Sequence, residues 1–435
     1  MATLSHRTRR RPLAWGLFAL CGLGGLGIYV HGRRPSAQPP ALLVQAQAAT
    51  PTRSWQKQLD LDRARVLGGQ FVQTLPDGTE VRYTLDPVLQ EKARSILRTY
   101  ELPMAAMVLY DYRSGEVLVL AGHQAEASAL DTERLTLAPW APAASIFKLV
   151  TAGALLDRGV SASTRVCYHG GLHGLTAEHL RDNPALDGAC RTLHDAVAHS
   201  INPILAKLAL RHLDRRSLEA AAGRFGFNRA LPFELPVAPS AARIPADGPE
   251  RAKAAAGFWH TELSPLHGAV LASAAASGGM MRLPHIVRSV RTPDQKPVRL
   301  PVPAPLRALK AESAADLRRM MVAATETGTA RQGFHTRRGR PHFPGIPVAG
   351  KTGSLAKQNP FVHYSWFVGF APADKPEVVF SVLLGNPMKW RIKASTAAQL
   401  LLAAYFRHRH GGQGTKSPGA PADVSSRRRP ARKAP

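Results

Sequence analysis

The chain has 435 residues, 45% of them hydrophobic and 20% charged, which is enough for a large buried core and for two or three domain-sized units. Its net charge is +27, and removing the +6 of residues 1–34 and the +7 of residues 407–435 leaves +14 on the body. Nucleic acid is not the expected partner, because no zinc-finger, RNP-like or helix-turn-helix signature accompanies the charge and aromatics are only 6%; an anionic membrane or cell-wall surface fits better.

In chain order, Arg7, Arg9, Arg10 and Arg11 precede an apolar run from Pro12 to Val30, about the length needed to span a bilayer. The flanking positive charges place the N-terminus in the cytoplasm. Ala46-Gln-Ala48 resembles a signal-cleavage site, but it lies far beyond the apolar run, behind Arg33, Arg34 and Pro35, so the run reads as an uncleaved anchor. The expected organisation is a cytoplasmic basic end (1–11), one transmembrane helix (12–30), a Pro/Ala-rich linker (31–58), a folded body (59–406) and a disordered basic tail (407–435). Cys21 falls in the anchor, which leaves Cys167 and Cys190 as a disulfide candidate in an oxidising compartment, closing a loop of about 24 residues. His169, His173 and His179 lie between them at spacings that match no standard zinc motif, so no metal is expected.

The body opens with Asp86-Pro87, an N-cap followed by Pro at the first helical position, after which Leu89, Ala93, Ile96 and Leu97 share one face. Met104 to Tyr110 and Glu116 to Leu120 read as a hairpin around Asp111 to Gly115. From about Pro142 to Gly345 the pattern is mainly helical, with stretches at Ile146 to Leu156, Leu193 to Leu210, Ser217 to Phe225, Pro265 to Ala276 and Ala314 to Thr325. Strands return at Pro347 to Gly353, Ser365 to Phe370 and Val378 to Leu384, and a last helix runs from about Ser395 to Phe406. Strands at both ends with helices between imply an α+β fold in which the terminal segments pair in one antiparallel sheet, of five-stranded type, beside a mainly helical subdomain.

Three segments carry chemistry: Ser145-Ile-Phe-Lys148, Ser200-Ile-Asn202 and Lys351-Thr-Gly353. Serine is a weak nucleophile until a base lies within hydrogen-bond reach, and Lys148 stands one helical turn from Ser145. At the start of an apolar helix that lysine is buried, which depresses its pKa and suits it to be a base. SxxK alone says little, since Ser54-Trp-Gln-Lys57 and Ser354-Leu-Ala-Lys357 also match; neither opens an apolar helix. Ser200 and Asn202 fall in a turn before Pro203, where capping is the simpler reading, and Lys351 to Gly353 lies in an edge-like strand whose simpler reading is a strand-end turn. The ordered trio has no such simple reading.

With these motifs the sequence resembles the serine penicillin-binding protein and β-lactamase superfamily. The likeness extends from Tyr83 to Phe406 and includes Thr84 to Gln90, Leu263-Ser-Pro-Leu266, Gly278-Gly279 followed by Pro284-His-Ile-Val287, Gly328-Thr-Ala330 and Trp366-Phe-Val-Gly-Phe370. The resemblance implies a D,D-transpeptidase of peptidoglycan stem peptides, inhibited by β-lactam antibiotics, needing no cofactor and facing outward from the bacterial cytoplasmic membrane. It makes Ser145 the nucleophile, Lys148 its base, Ser200 a proton relay, Asn202 a substrate-amide partner and Lys351 a source of positive field. Thr352, Gly353 and Ser354 would line the substrate, with Thr352 and Ser354 binding its carboxylate. A D,D-carboxypeptidase or β-lactamase of the same fold, or a penicillin-sensing or scaffold protein, is the alternative. Ala143-Ala144 departs from the usual Pro-Gly or Pro-Ala before the serine, and Gly257-Phe-Trp-His260 from the usual Gly-rich stretch. The interval between anchor and body is too short for a glycosyltransferase domain, so a separate glycosyltransferase would be a partner.

Overall fold

Apolar, β-branched runs near the two ends of the body supply strands, and the Ala-rich stretches between them supply helices. The computed structural model describes residues 54–125 and 132–410; the expected anchor, most of the linker and the segment after 410 lie outside the described residues. The central sheet contains β1 (Met104–Asp111), β2 (Val117–Gln124), β3 (Ala349–Lys357), β4 (Val362–Ala371) and β5 (Val378–Asn386), all antiparallel, in the order β3-β4-β5-β1-β2. The two ends of the body therefore pair, with Val382 opposite Met107. β3 forms one edge, its Lys351 opposite Val368 of β4.

Among the helices that position the rest are α1 (Pro87–Thr99), α2 (Lys148–Asp157), α3 (Asn202–His212), α4 (Pro265–Ala276), α5 (Ala311–Glu326) and α6 (Ala394–His410). β5 is buried along its whole length, which requires cover on both faces. On one face Leu89 and Ile96 of α1 and Leu401 of α6 pack with Met107 and Phe380. On the other, α4, buried at every residue, joins a core that includes Val108, Tyr110 and Trp366 and continues into the helical subdomain. Asp86 caps α1 by accepting from the backbone N–H groups of Val88 and Leu89, and the β1–β2 turn closes on Gly115 at φ 85°.

Four boundaries differ from the expectations. The stretch Ile146 to Leu156 is a 3₁₀ turn, Ala144–Ile146, followed by α2. The stretch Leu193 to Leu210 is two helices, Leu193–Ala198 and α3, broken where Ser200 takes a left-handed φ of 58°. Folded structure begins before Leu59, since Trp55 is buried and Gln73 Nε2 donates to the Gln58 carbonyl, and α6 continues past Phe406 to His410. A second sheet of Arg65–Leu67, Gln70–Thr74, Glu80–Tyr83 and Val287–Arg291 was not expected at all. Among the described residues no helix is long and apolar enough to cross a membrane.

Candidate active site

The segment before Ser145 is clamped from several sides. Trp366 Nε1 donates to the Pro142 carbonyl at 2.9 Å, and Ala143 N–H donates to the Thr261 carbonyl at 3.0 Å. Ala144 is forced to φ 48°, a conformation that suits glycine and strains an L-residue. Gly257 stands against it so closely that a Cβ there would lie 2.1 Å from the Ala144 carbonyl oxygen. The Ser145 hydroxyl thereby reaches the cleft from a short 3₁₀ turn, and Lys148, the first residue of α2, returns its Nζ to Ser145 Oγ at 2.6 Å.

Lys148 is fully buried, and its Nζ also meets Asn202 Oδ1 at 2.6 Å and Ser200 Oγ at 3.2 Å. Lys351, equally buried, donates to Ser200 Oγ at 3.0 Å and to the Thr352 carbonyl at 2.8 Å. Among the described residues neither ammonium pairs with a carboxylate. Desolvation is therefore uncompensated: burial, and secondarily the charge of Lys351, holds Lys148 well below the usual lysine range, while burial lowers Lys351 to about 7. Ser200 sits between two amines and is within hydrogen-bond reach of both, a geometry that can pass a proton from one side of the cleft to the other.

Asn202 opens α3 just before Pro203, and the chain from 169 to 188 holds it. Its backbone N–H donates to the Leu172 carbonyl and its Nδ2 to the His173 carbonyl, each at 2.8 Å. That segment is closed at its base by a Cys167–Cys190 disulfide between paired strands Arg165–Tyr168 and Ala189–Thr192. Inside it, His169 Nδ1 lies 2.6 Å from Asp187 Oδ1, and buried Lys207 of α3 bonds the Cys167 carbonyl and Asp187. Among the described residues no three His, Cys, Asp or Glu side chains stand where they could together hold a metal ion.

These elements border a cleft of about 500 Å³. Ser145, Ser200 and Asn202 line one side, and Thr352, Gly353 and Ser354 of edge strand β3 line the other. Gly353 leaves little room, since a Cβ there would lie 3.2 Å from the Ile146 side chain next to Ser145 and 3.2 Å from Trp366 Cβ. Thr352 Oγ1 bonds Thr329 Oγ1 at 2.6 Å, and Ser354 Oγ bonds His363 Nε2 at 2.8 Å. All eight residues expected at the site, from Ser145 to Ser354, thus converge; Cys167 and Cys190 brace it from behind.

A family model described as penicillin binding protein transpeptidase domain matches residues 105–403. The chain belongs to that family. It is 26% identical over 355 residues to the peptidoglycan D,D-transpeptidase PbpA of Mycobacterium tuberculosis, covering 74% of this chain and 70% of the relative. Among solved structures, the D,D-transpeptidase domain of a peptidoglycan glycosyltransferase from Eggerthella lenta superposes with a TM-score of 0.64 at 25% identity, over 78% of this chain and 85% of that one. The imipenem acyl-enzyme complex of penicillin-binding protein A from M. tuberculosis superposes with a TM-score of 0.62 at 23% identity, over 75% and 80%.

In this penicillin-binding protein the two departures noted above meet each other. Ala144 takes the left-handed turn that a glycine would hold more easily, and Gly257, from the atypical Gly-Phe-Trp-His segment, gives it room. Phe258 lines the cleft, whereas Trp259 is half-exposed. Sequence reasoning missed His173, His363, Trp390 and Lys393 as residues at or beside the cleft. Thr329 carried a signal, the Gly328-Thr-Ala330 segment; the other four depend on tertiary placement alone.

Proposed function

We propose that this penicillin-binding protein is a D,D-transpeptidase that cross-links peptidoglycan stem peptides through a Ser145 acyl-enzyme, and that β-lactams trap the same intermediate. The observation that carries this reading is Lys148: a buried amine 2.6 Å from Ser145 Oγ that, among the described residues, has no carboxylate partner. A neutral Lys148 accepts the Ser145 proton as Oγ attacks the carbonyl between two D-alanines. Backbone N–H groups of Ser145 and Ser354 are the donors assigned to the oxyanion. The proton then passes through Ser200 to the amine of the departing D-alanine, and the acyl group stays on Ser145. In the second half an acceptor amine attacks the ester, gives its proton back through the same groups, and Ser145 regains its hydrogen. Asn202 is the partner for the substrate amide, and Lys351, Thr352 and Ser354 for the terminal carboxylate.

The apolar run 12–30 with its basic flanks supports tethering at the bacterial cytoplasmic membrane with the catalytic body outside, near the anionic surfaces that a net charge of +27 favours. The M. tuberculosis relatives, named for D,D-transpeptidase activity, support the reaction type. The glycan strands to be linked would come from a separate glycosyltransferase. The test is labelling of the purified protein with a fluorescent penicillin, with Ser145→Ala as the control. A stable adduct on wild type alone is expected; no adduct, or one that survives the substitution, sinks the acyl-enzyme. Supplying a stem pentapeptide with and without an amine acceptor then separates transfer from hydrolysis.

A further inference from the structure

Ser354 and His363 face each other across the β3–β4 hairpin. Ser354 pairs with Ser365, so His363, two residues away on the same strand face, is its diagonal neighbour. His363 Nε2 lies 2.8 Å from Ser354 Oγ, and its ring packs edge-on against Trp390 with centroids 4.2 Å apart, Trp390 itself bordering the cleft. The imidazole is therefore fixed from both sides, by a hydroxyl in front and an indole behind.

A serine hydroxyl has one proton, and its use depends on this neighbour. If Ser354 gives its proton to His363, only lone pairs face the cleft, and they repel a carboxylate. If His363 gives a proton to Ser354, the hydroxyl hydrogen is free for a ligand. The geometry points to His363 as a positioning residue for carboxylate recognition: its Nε2–H donates to Ser354 Oγ and leaves the Ser354 hydroxyl to donate to the carboxylate of a stem peptide or penicillin. Burial holds the imidazole below its usual range, so a neutral ring with a single N–H serves at working pH. The inference rests on the reading of Ser354 as a carboxylate partner of an acylating site.

The test measures acylation of the full-length protein by a penicillin and by its methyl ester, in wild type, His363→Phe, His363→Gln, Ser354→Ala and the Ser354→Ala/His363→Phe double variant. Phenylalanine keeps a ring against Trp390 without a donor; glutamine restores a donor near the Nε2 position. His363→Phe is expected to lower acylation efficiency with the free-acid penicillin about 5- to 20-fold, through weaker pre-acylation binding rather than a slower limiting rate. The ester should lose less than about 2-fold, glutamine should recover most of the loss, and Phe at 363 should add nothing once Ser354 is Ala. Equal losses on acid and ester, an unrescued loss, full activity of His363→Phe, or an undiminished His363→Phe effect in the Ser354→Ala background overturns the inference. If His363→Phe does not fold, His363→Gln and its combination with Ser354→Ala decide it, because loss of carboxylate selectivity in His363→Gln contradicts a donor role. Failure of the underlying reading looks different: the wild-type protein itself would form no Ser145-dependent adduct.

Discussion

Two buried lysines converge on one serine hydroxyl, and among the described residues neither has a carboxylate to keep its charge. For Lys148 the consequence is an amine that burial holds well below the usual lysine range, which suits the base proposed for it; Lys148→Ala should slow acylation by penicillin roughly 10²- to 10⁴-fold while the fold remains intact by circular dichroism. For Lys351, near 7, the consequence is a field that weakens as the solution becomes alkaline. Acylation efficiency with a carboxylate-bearing penicillin should fall as pH rises past about 7, because deprotonation removes the positive charge that attracts the anion; the methyl ester should not show this limb. The burial of Lys148 was legible from type and spacing, since an SxxK lysine opening an apolar helix is expected to be buried, whereas the part given to Lys351 came from the family resemblance and not from its spacing. His363 was not legible, because its contact depends on the pairing register of two strands that the sequence does not state.

At the scale of elements, the Ser145 turn depends on a segment more than a hundred residues away. Gly257→Ala would place a Cβ 2.1 Å from the Ala144 carbonyl and strain a φ of 88°, so the Ser145 turn has to shift. Acylation should drop at least about 10-fold with a smaller loss of stability than a core truncation causes, read by labelling rate and thermal melting. The disulfide-closed segment gives a separate prediction. Hydrogen bonding from His169, followed by the Asn183 backbone and Lys207, lowers the Asp187 carboxyl to about 2. A depressed carboxylate stabilises the fold fully above its unfolded pKa near 4, and that contribution disappears as pH falls towards about 2. The stability difference between wild type and Asp187→Asn, measured by urea unfolding, should therefore be constant above about pH 5 and shrink below it. Long, continuously apolar elements, such as α4 and β5, were readable within a residue or two. The sheet built from Arg65 to Tyr83 with Val287–Arg291 was not, because its strands are three to five residues long and its closing pair joins segments some two hundred positions apart. The break at Ser200 was placed as a turn, but its left-handed φ of 58° could not be read from a serine in that position.

For the whole molecule, stability rests on covering both faces of the central sheet. Leu401, fully buried on α6, packs in the core shared with α1 and β5. Leu401→Ala should cost about 2–5 kcal/mol in chemical denaturation, yet leave the pH dependence of acylation unchanged in the folded fraction, since the hydrogen bonds of Lys148 and Lys351 run to Ser145, Ser200, Asn202 and Thr352 and not to α6. Strand order adds a matter of timing. The strand bearing Lys351 joins the sheet only through β4 and β5, and β5 docks on β1, which was synthesised long before. A growing chain therefore presents Ser145 and Lys148 well ahead of the edge strand that completes the cleft. On the mechanism proposed above, acylation competence should arrive late in synthesis, once the C-terminal strands can close the sheet, and a partly made chain should stay silent towards penicillin.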